Sequence, residues 1–325
     1  MPDSTSPAKL VTVFGGSGFV GRQIVQALAR RGYRVRAAVR RPDLAGHLQP
    51  LGDVGQVTAV QANLRYGWSV ERALKGADAV VNAVGILYET GRQSFEAVQA
   101  FGPRAIGEAA REAGIGNLVH ISAIGADAES DTAYLRSKGL GEAGILESVP
   151  GTVILRPSIV FGPGDDFFNK FAAMAQWSPA LPLIGGGETK FQPVYVGNVA
   201  EAVAVAIDGG AKPGTIYELG GPEIATFRQC LERMLAETGR KRVLVPIPFA
   251  VAKIMGKVMG LMPKPLLTAD QVQMLQSDTI VSEGAQADGR TLAGLGVAAT
   301  AMDVILPTYL VRFREHGQFE RTRMT

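Results

Sequence analysis

The stretch Leu10-Val-Thr-Val-Phe-Gly-Gly-Ser-Gly-Phe-Val-Gly21 decides the fold of this chain. An apolar, β-branched run stops at Gly15, Gly18 and Gly21, and an amphipathic stretch follows. The pattern predicts a strand, a tight turn and a helix. The first N–H groups of a helix lack intrahelical acceptors, and the macrodipole adds positive potential there. Gly15 permits the turn, Gly18 lets a phosphate approach the backbone, and Gly21 lets helix and strand pack closely. Gly15, Ser17, Gly18, Phe19, Val20 and Gly21 are therefore predicted to cradle a pyrophosphate. The spacing G-x-x-G-x-x-G departs by one residue from the commoner G-x-G-x-x-G.

Strand and helix patterns alternate outward from this turn. Strands are predicted at 10–14, 34–39, 56–61, 79–83, 117–122 and 152–156, and helices at 20–31, 68–75, 94–113 and 132–147. Near-continuous apolar strands separated by helices imply a parallel sheet covered on both faces. The fold class is α/β, a doubly wound Rossmann-type sheet that binds its ligand beyond the carboxyl ends of the strands. After Pro157 the pattern changes. A helix is predicted over 167–175, a Pro/Gly loop over 179–187, a strand over 190–194 and a helix over 199–207. Thr226-x-x-Gln229 and Thr268-x-x-Gln271 read as capping boxes opening helices. Residues 8–160 are taken as the dinucleotide-binding core. Residues 161–325 are taken as a smaller C-terminal cap region whose elements return in part to the core.

The 325 residues suffice for a full α/β core and a smaller second region. A net charge of +3, with no basic run interleaved with aromatics, gives no basis for nucleic-acid binding. Cys230 is the single cysteine, which excludes a disulfide framework or thiolate cluster and fits a reducing compartment. His47, His120 and His316 lack metal-ligand spacing, so no metal site is expected. The segment 1–9 has neither the apolar core of a signal peptide nor the character of a transit peptide, which predicts a cytoplasmic protein.

Cofactor choice follows from the end of the second strand. An NAD-selective site places an acid there, on the ribose hydroxyls. This strand ends in Arg40-Arg41, and a guanidinium can grip a 2′-phosphate bidentately. The reading is NADP(H), with Arg40 favoured over Arg41 because only one residue of a strand end points inward. Asn63-Leu64 after the third strand suits an adenine edge. Ala83, Val84 and Gly85 after the fourth strand are small enough for a ribose to approach. Tyr134 and Lys138 stand four apart and share a helix face. There the lysine would hold ribose hydroxyls and lower the phenol pKa, making Tyr134 a general acid or base.

With these residues in view the chain resembles the short-chain dehydrogenase/reductase superfamily, in its extended or atypical, NAD-dependent epimerase/dehydratase-like branch. Gly15–Gly21, Asn82–Gly85, Ile121–Ala123, Tyr134 with Lys138, and Arg156–Gly162 carry the resemblance, which spans nearly the whole chain. It implies that Pro157 helps seat a nicotinamide. It also exposes a departure, because the position of the family's catalytic Ser or Thr falls on Ala123, with Ser122 beside it. Neighbouring residues at a strand end point opposite ways, so Ser122 is a weak substitute.

A narrower resemblance lies downstream. Phe161-Gly-Pro-Gly-Asp-Asp-Phe-Phe-Asn-Lys-Phe-Ala172, Phe191–Val196, Asp270–Asp278 and Leu306–Leu310 are similar to the short-chain-dehydrogenase-like accessory subunits of respiratory complex I and their bacterial relatives. That resemblance implies tightly held NADPH, complex I partner subunits near the quinone entrance, and peripheral attachment to the cytoplasmic face of a bacterial inner membrane. The most apolar stretch, 243–262, is limited by Pro246 and Pro248 to a helix of about fifteen residues, too short to span a bilayer. Lys253 and Lys257 share one face of it, which fits membrane-surface contact through 248–262 and equally a cap helix packed on its own core. The segment 312–323 reads as a solvated, mixed-charge end.

Three functions fit. The first is an NADP(H)-binding accessory subunit of complex I, structural or redox-sensing rather than strongly catalytic. The second is a free-standing NADP-dependent reductase or epimerase using Tyr134 and Lys138. The third is a regulator reporting the NADPH/NADP ratio to a partner.

Overall fold

The computed structural model describes residues 8–260 and 267–315. His316, most of 1–9, the end of 248–262 and most of 312–323 lie outside the described residues. The chain opens with β1 (Leu10–Phe14), α1 (Phe19–Arg30), β2 (Arg34–Val39), β3 (Val57–Gln61), α2 (Gly67–Leu74) and β4 (Ala79–Asn82). It continues with α3 (Phe101–Glu112), β5 (Leu118–Ile121), α4 (Ala133–Ser148), β6 (Val153–Pro157), β7 (Val160–Phe161), α5 (Phe168–Trp177) and β8 (Ala180–Ile184). Then come β9 (Lys190–Phe191), β10 (Val194–Tyr195), α6 (Val196–Ile207), β11 (Ile216–Leu219), β12 (Ala225–Thr226) and α7 (Phe227–Thr238). The last elements are β13 (Val243–Ile247), α8 (Phe249–Met259), α9 (Ala269–Met274), α10 (Glu283–Ala287) and α11 (Met302–Leu310).

Two compact units emerge. The first joins Met1–Pro157 to Gly197–Leu219 and Glu283–Val297. Its seven-stranded sheet runs β11-β6-β5-β4-β1-β2-β3, and every pairing is parallel. The order reverses at β1, which pairs with both β2 and β4. That reversal opens a crevice beyond the carboxyl ends of β1 and β4, the place where doubly wound sheets take their ligands. The strands are buried on both faces, as a parallel sheet requires: Val11, Val13, Val80, Val81, Val119 and Ile154 are wholly inaccessible.

The helix expected over 94–113 is not continuous. A single π-helical turn, Glu96–Ala100, precedes α3. Such a turn adds a residue and re-aims the side chains around it. Here it brings the Gln99 carbonyl against α4, where a Cβ on Gly141 would lie 2.1 Å from that oxygen.

The second unit comprises Ser158–Val196, Gly220–Ser282 and Ala298–Thr325. Its core is built on Phe161, Phe168, Phe191 and Phe227, joined by Leu306 and Tyr309. The Asp165 carboxylate accepts from the Tyr309 hydroxyl at 2.6 Å and from the backbone N–H groups of Gly162, Phe167 and Asn169. Both capping boxes form, with Thr226 opening α7 and Thr268 opening α9. Three expectations change in this unit. The segment 179–187 is not all loop, because β8 occupies Ala180–Ile184 and pairs in parallel with β13. A two-stranded sheet leaves each strand one free edge, so Pro182 and Pro246 fit where a central strand would reject them. The single strand expected at 190–194 is two short strands, β9 and β10, paired with different partners. The apolar stretch from 243 is first a strand and then α8, a helix of 11 residues. Among the described residues no helix is long and apolar enough to cross a membrane.

Candidate nucleotide site

A cavity of about 220 Å³ lies at the carboxyl ends of the first four strands. Its floor is the turn after β1, where Gly15, Ser17 and Gly18 line it. Gly15 has φ +78°, and a Cβ there would sit 3.0 Å from the Ala83 carbonyl oxygen. Gly15 N–H donates to the Ala38 carbonyl and Gly18 N–H to the Gly15 carbonyl, both at 3.0 Å. Gly21 is more confined: a Cβ would lie 2.1 Å from the Gly15 oxygen. The first turn of α1 is thus pressed onto the glycine turn. Phe19, Val20 and Gly21 do not themselves line the cavity.

The walls come from the next three strand ends. Arg40 lines the cavity from the end of β2, with its guanidinium donating to Gln93 Oε1. Arg41 does not line it. That side chain turns to solvent and pairs with Asp43 at 2.6 Å. The difference follows from strand alternation, which aims adjacent residues oppositely. After β3, Asn63, Leu64 and Arg65 contribute, and Asn63 Oδ1 accepts from Arg65 N–H at 3.2 Å. After β4, Ala83, Val84 and Gly85 line the opposite side. Asn82 holds that loop, since its Oδ1 accepts from Val84 N–H at 3.1 Å. Two guanidinium groups and no carboxylate line the cavity, so its chemistry suits an anion.

A second cluster lies deeper in the first unit. Lys138 on α4 is buried, and its Nζ donates to the Ile121 carbonyl at 3.2 Å. A Cβ on Gly85 would come within 3.4 Å of that nitrogen, so the ammonium stands behind the cavity wall. Burial lowers its pKa to about 8, against the raising pull of Glu142. Tyr134, one turn earlier, is buried with its ring edge-on to Phe95 at 5.7 Å. Burial pushes its phenol up to about 12. The sequence points to a phenol lowered by the lysine, whereas desolvation sets the direction here. Neither side chain lines the cavity.

His120 and Asn82 face one another across β5 and β4, with His120 Nδ1 3.1 Å from Asn82 Nδ2. Burial first, and then the Lys138 charge, lower the imidazole to about 3. Ser122 is buried, and its N–H donates to the Leu155 carbonyl at 2.8 Å. Its hydroxyl has no hydrogen-bond partner among the described residues. Pro157 ends β6 and accepts from Ile124 N–H at 3.1 Å. Among the described residues no group of three His, Cys, Asp or Glu is placed to hold a metal ion.

The residue set fits a dinucleotide. Gly15 carries the turn, the arginines meet anions, and a buried ammonium with one backbone acceptor has donors left for hydroxyls. Sequence reading does not find Arg65, Gln93 or Gln99. Gln93 lies 53 positions from the arginine it holds. Gln99 Oε1 accepts from Ile86 N–H at 2.8 Å, and its Nε2 donates to Ser137 Oγ at 3.0 Å.

The parallel sheet, its reversal at β1 and the glycine turn define a Rossmann-like α/β protein of the short-chain dehydrogenase fold, whose family binds nucleotide cofactors. Residues 12–221 match the model of the 3-beta hydroxysteroid dehydrogenase/isomerase family, and the chain belongs to that family. It is 36% identical to NADH dehydrogenase [ubiquinone] 1 alpha subcomplex subunit 9, mitochondrial, of Arabidopsis thaliana, over 85% of this chain and 72% of that protein. The Mus musculus protein of the same name is 33% identical over 94% of this chain and 81% of its own length. Among solved structures, the UDP-glucose 4-epimerase of Thermus thermophilus in complex with NAD superposes with a TM-score of 0.68. The match covers 94% of this chain and 99% of that one at 24% identity, a likeness of fold.

Proposed function

We propose that this protein is an NADP(H)-binding accessory subunit of respiratory complex I, holding its nucleotide for structural or redox-sensing purposes rather than for rapid turnover. The extent of the match carries the reading. The family model ends at residue 221, whereas similarity to the mouse complex I subunit covers 94% of the chain and so continues well beyond that point, into the later part of the second unit. In the first unit, a cavity with two arginines and no acid supports NADP(H) over NAD(H). Gly15, Ser17 and Gly18 would take the pyrophosphate, Arg40 the 2′-phosphate, Asn63 and Leu64 the adenine side, and Lys138 the nicotinamide ribose. Phe19, Val20 and Gly21 support the turn, Ala83 to Gly85 give the ribose room, and Pro157 stands on the nicotinamide side. Arg41, already paired with Asp43, has the weaker claim.

The bound nucleotide would supply a nicotinamide able to carry hydride. Of the chain's own groups, Tyr134 and Ser122 are poorly matched to move the accompanying proton. A phenol at about 12 stays protonated through the neutral range. Ala123 stands where the resembling family has a hydroxyl, and Ser122 is buried behind it. Partners would be complex I subunits near the quinone site, and attachment would be peripheral, on the cytoplasmic face of a bacterial inner membrane. The exposed Val251, Ile254 and Val258, with Lys253 and Lys257, support a surface contact through α8.

Gentle detergent extraction of native membranes, followed by isolation of complex I, tests the assignment. The protein should travel with the complex and carry NADP(H). A chain that runs free of the complex in every extract sinks it. A free-standing NADP-dependent reductase or epimerase is the second reading, favoured by Lys138 reaching the cavity wall at Gly85. It requires that Tyr134→Phe abolish a measurable carbonyl reduction.

A further inference from the structure

We propose that Gln93 is a specificity-determining residue of the nucleotide cavity, holding Arg40 where it meets a 2′-phosphate and offering a 2′-hydroxyl no carboxylate. The inference rests on the NADP(H) reading above and names a group that enforces it. Both residues line the cavity, and the Arg40 guanidinium donates to Gln93 Oε1. A guanidinium only donates, so the carboxamide must turn its oxygen to Arg40, which leaves the amide nitrogen for a ligand. One of five guanidinium donors is used, and the others stay available to phosphate. Among the described residues no carboxylate pairs with Arg40, in contrast to Arg41.

The position of Gln93 is built rather than incidental. Thr90 N–H donates to the Gln93 carbonyl and Gln93 N–H to the Thr90 carbonyl, both at 3.0 Å, closing a tight turn. The turn is tied down at both ends. Glu89 Oε1 accepts from Phe95 N–H at 2.7 Å, and Gln99 Oε1 accepts from Ile86 N–H at 2.8 Å. A carboxamide on an anchored strap costs little entropy to place, and it saves part of the rotamer entropy that a free arginine would lose on binding.

Selectivity then has two sources. A 2′-phosphate gains a pre-positioned guanidinium and a neutral amide donor. A 2′-hydroxyl gains no charge-charge attraction there, and it finds only the second lone pair of a neutral carboxamide oxygen where a carboxylate would be the stronger acceptor. Gln93→Glu reverses both features, since the carboxylate neutralises Arg40, repels phosphate and accepts from a hydroxyl.

The test titrates the full chain, freed of resident nucleotide, with NADPH and with NADH, following nicotinamide fluorescence. Thermal melts confirm that each variant is folded. Gln93→Glu should weaken NADPH more than tenfold while NADH holds or tightens, and Gln93→Ala should weaken NADPH about threefold. Arg40→Ala separates the Gln93 assignment from the NADP(H) reading. If it weakens NADPH selectively while both Gln93 variants leave the NADPH/NADH ratio unchanged, the Gln93 assignment is overturned and the NADP(H) reading stands. If Arg40→Ala does not change the ratio, both fall.

Discussion

The strand-end cavity and the Tyr134–Lys138 cluster belong to one unit of one chain, yet they treat charge in opposite ways. The cavity presents Arg40 and Arg65 at its walls, with Arg40 exposed and held by a neutral amide. The cluster buries its ionisable groups, so that Lys138 falls to about 8, Tyr134 rises to about 12 and His120 falls to about 3. Exposed cations on fixed strand ends attract an anion at little reorganisation cost. A phenol at about 12 and an imidazole at about 3 each keep one protonation state through the neutral range, whereas Lys138 at about 8 titrates close to it. The contrast supports the proposal that this protein holds a nucleotide more than it uses one.

The sharpest way to break the comparison is at the turn that serves the cavity. Gly21→Ala places a methyl group 2.1 Å from the Gly15 carbonyl oxygen and must shift backbone. It should cost about 1–3 kcal/mol of stability and lower nucleotide retention more than tenfold, read by calorimetry and by nucleotide content. Unchanged retention would mean that the glycine turn does not carry the ligand. Arg40→Ala should weaken NADPH by about 10- to 100-fold, the worth of a charge-assisted contact to phosphate, with NADH nearly unaffected. Arg41→Ala should change neither.

The buried cluster is probed by pH. His120 is neutral in the folded state down to about 3, whereas an unfolded histidine titrates near 6.5. The unfolded chain therefore binds the extra proton between these values. The stability that His120 contributes is present above 6.5 and is lost as pH falls toward 3. The slope should be about 1.4 kcal/mol per pH unit in that window, and His120→Gln should flatten it in urea melts. Lys138 has the same sign at higher pH. Its folded pKa is depressed to about 8 from 10.5, so its contribution grows as pH rises from 8 to 10.5. Tyr134→Phe should change nucleotide affinity less than about twofold. A larger loss would place the phenol in the binding site and erase the contrast.

The legibility of these regions in sequence follows the range of the forces that made them. The alternation of apolar strands and helices is local, and so are the Thr226–Gln229 and Thr268–Gln271 boxes, where one side chain reaches three residues. The glycine turn is local as well, and Gly15, Ser17 and Gly18 line the cavity together. What escapes depends on distant partners. Gln93 matters only because a turn far along the chain returns to β2. The π-helical turn at Glu96–Ala100 reflects packing against Gly141, which no periodicity in 94–113 reports. Pro182 marks a loop by composition, but a free sheet edge lets it join β8. The phenol of Tyr134 escapes for a related reason: its spacing to Lys138 is visible in the sequence, while the burial that outweighs it is not.

Whether the chain keeps a resident NADP(H) is tested most directly by purifying it without added nucleotide, denaturing it, and identifying what is released. The native protein should release close to one NADP(H) per chain, and Arg40→Ala should release clearly less. Release of NAD(H), or of no dinucleotide, would contradict a resident NADP(H).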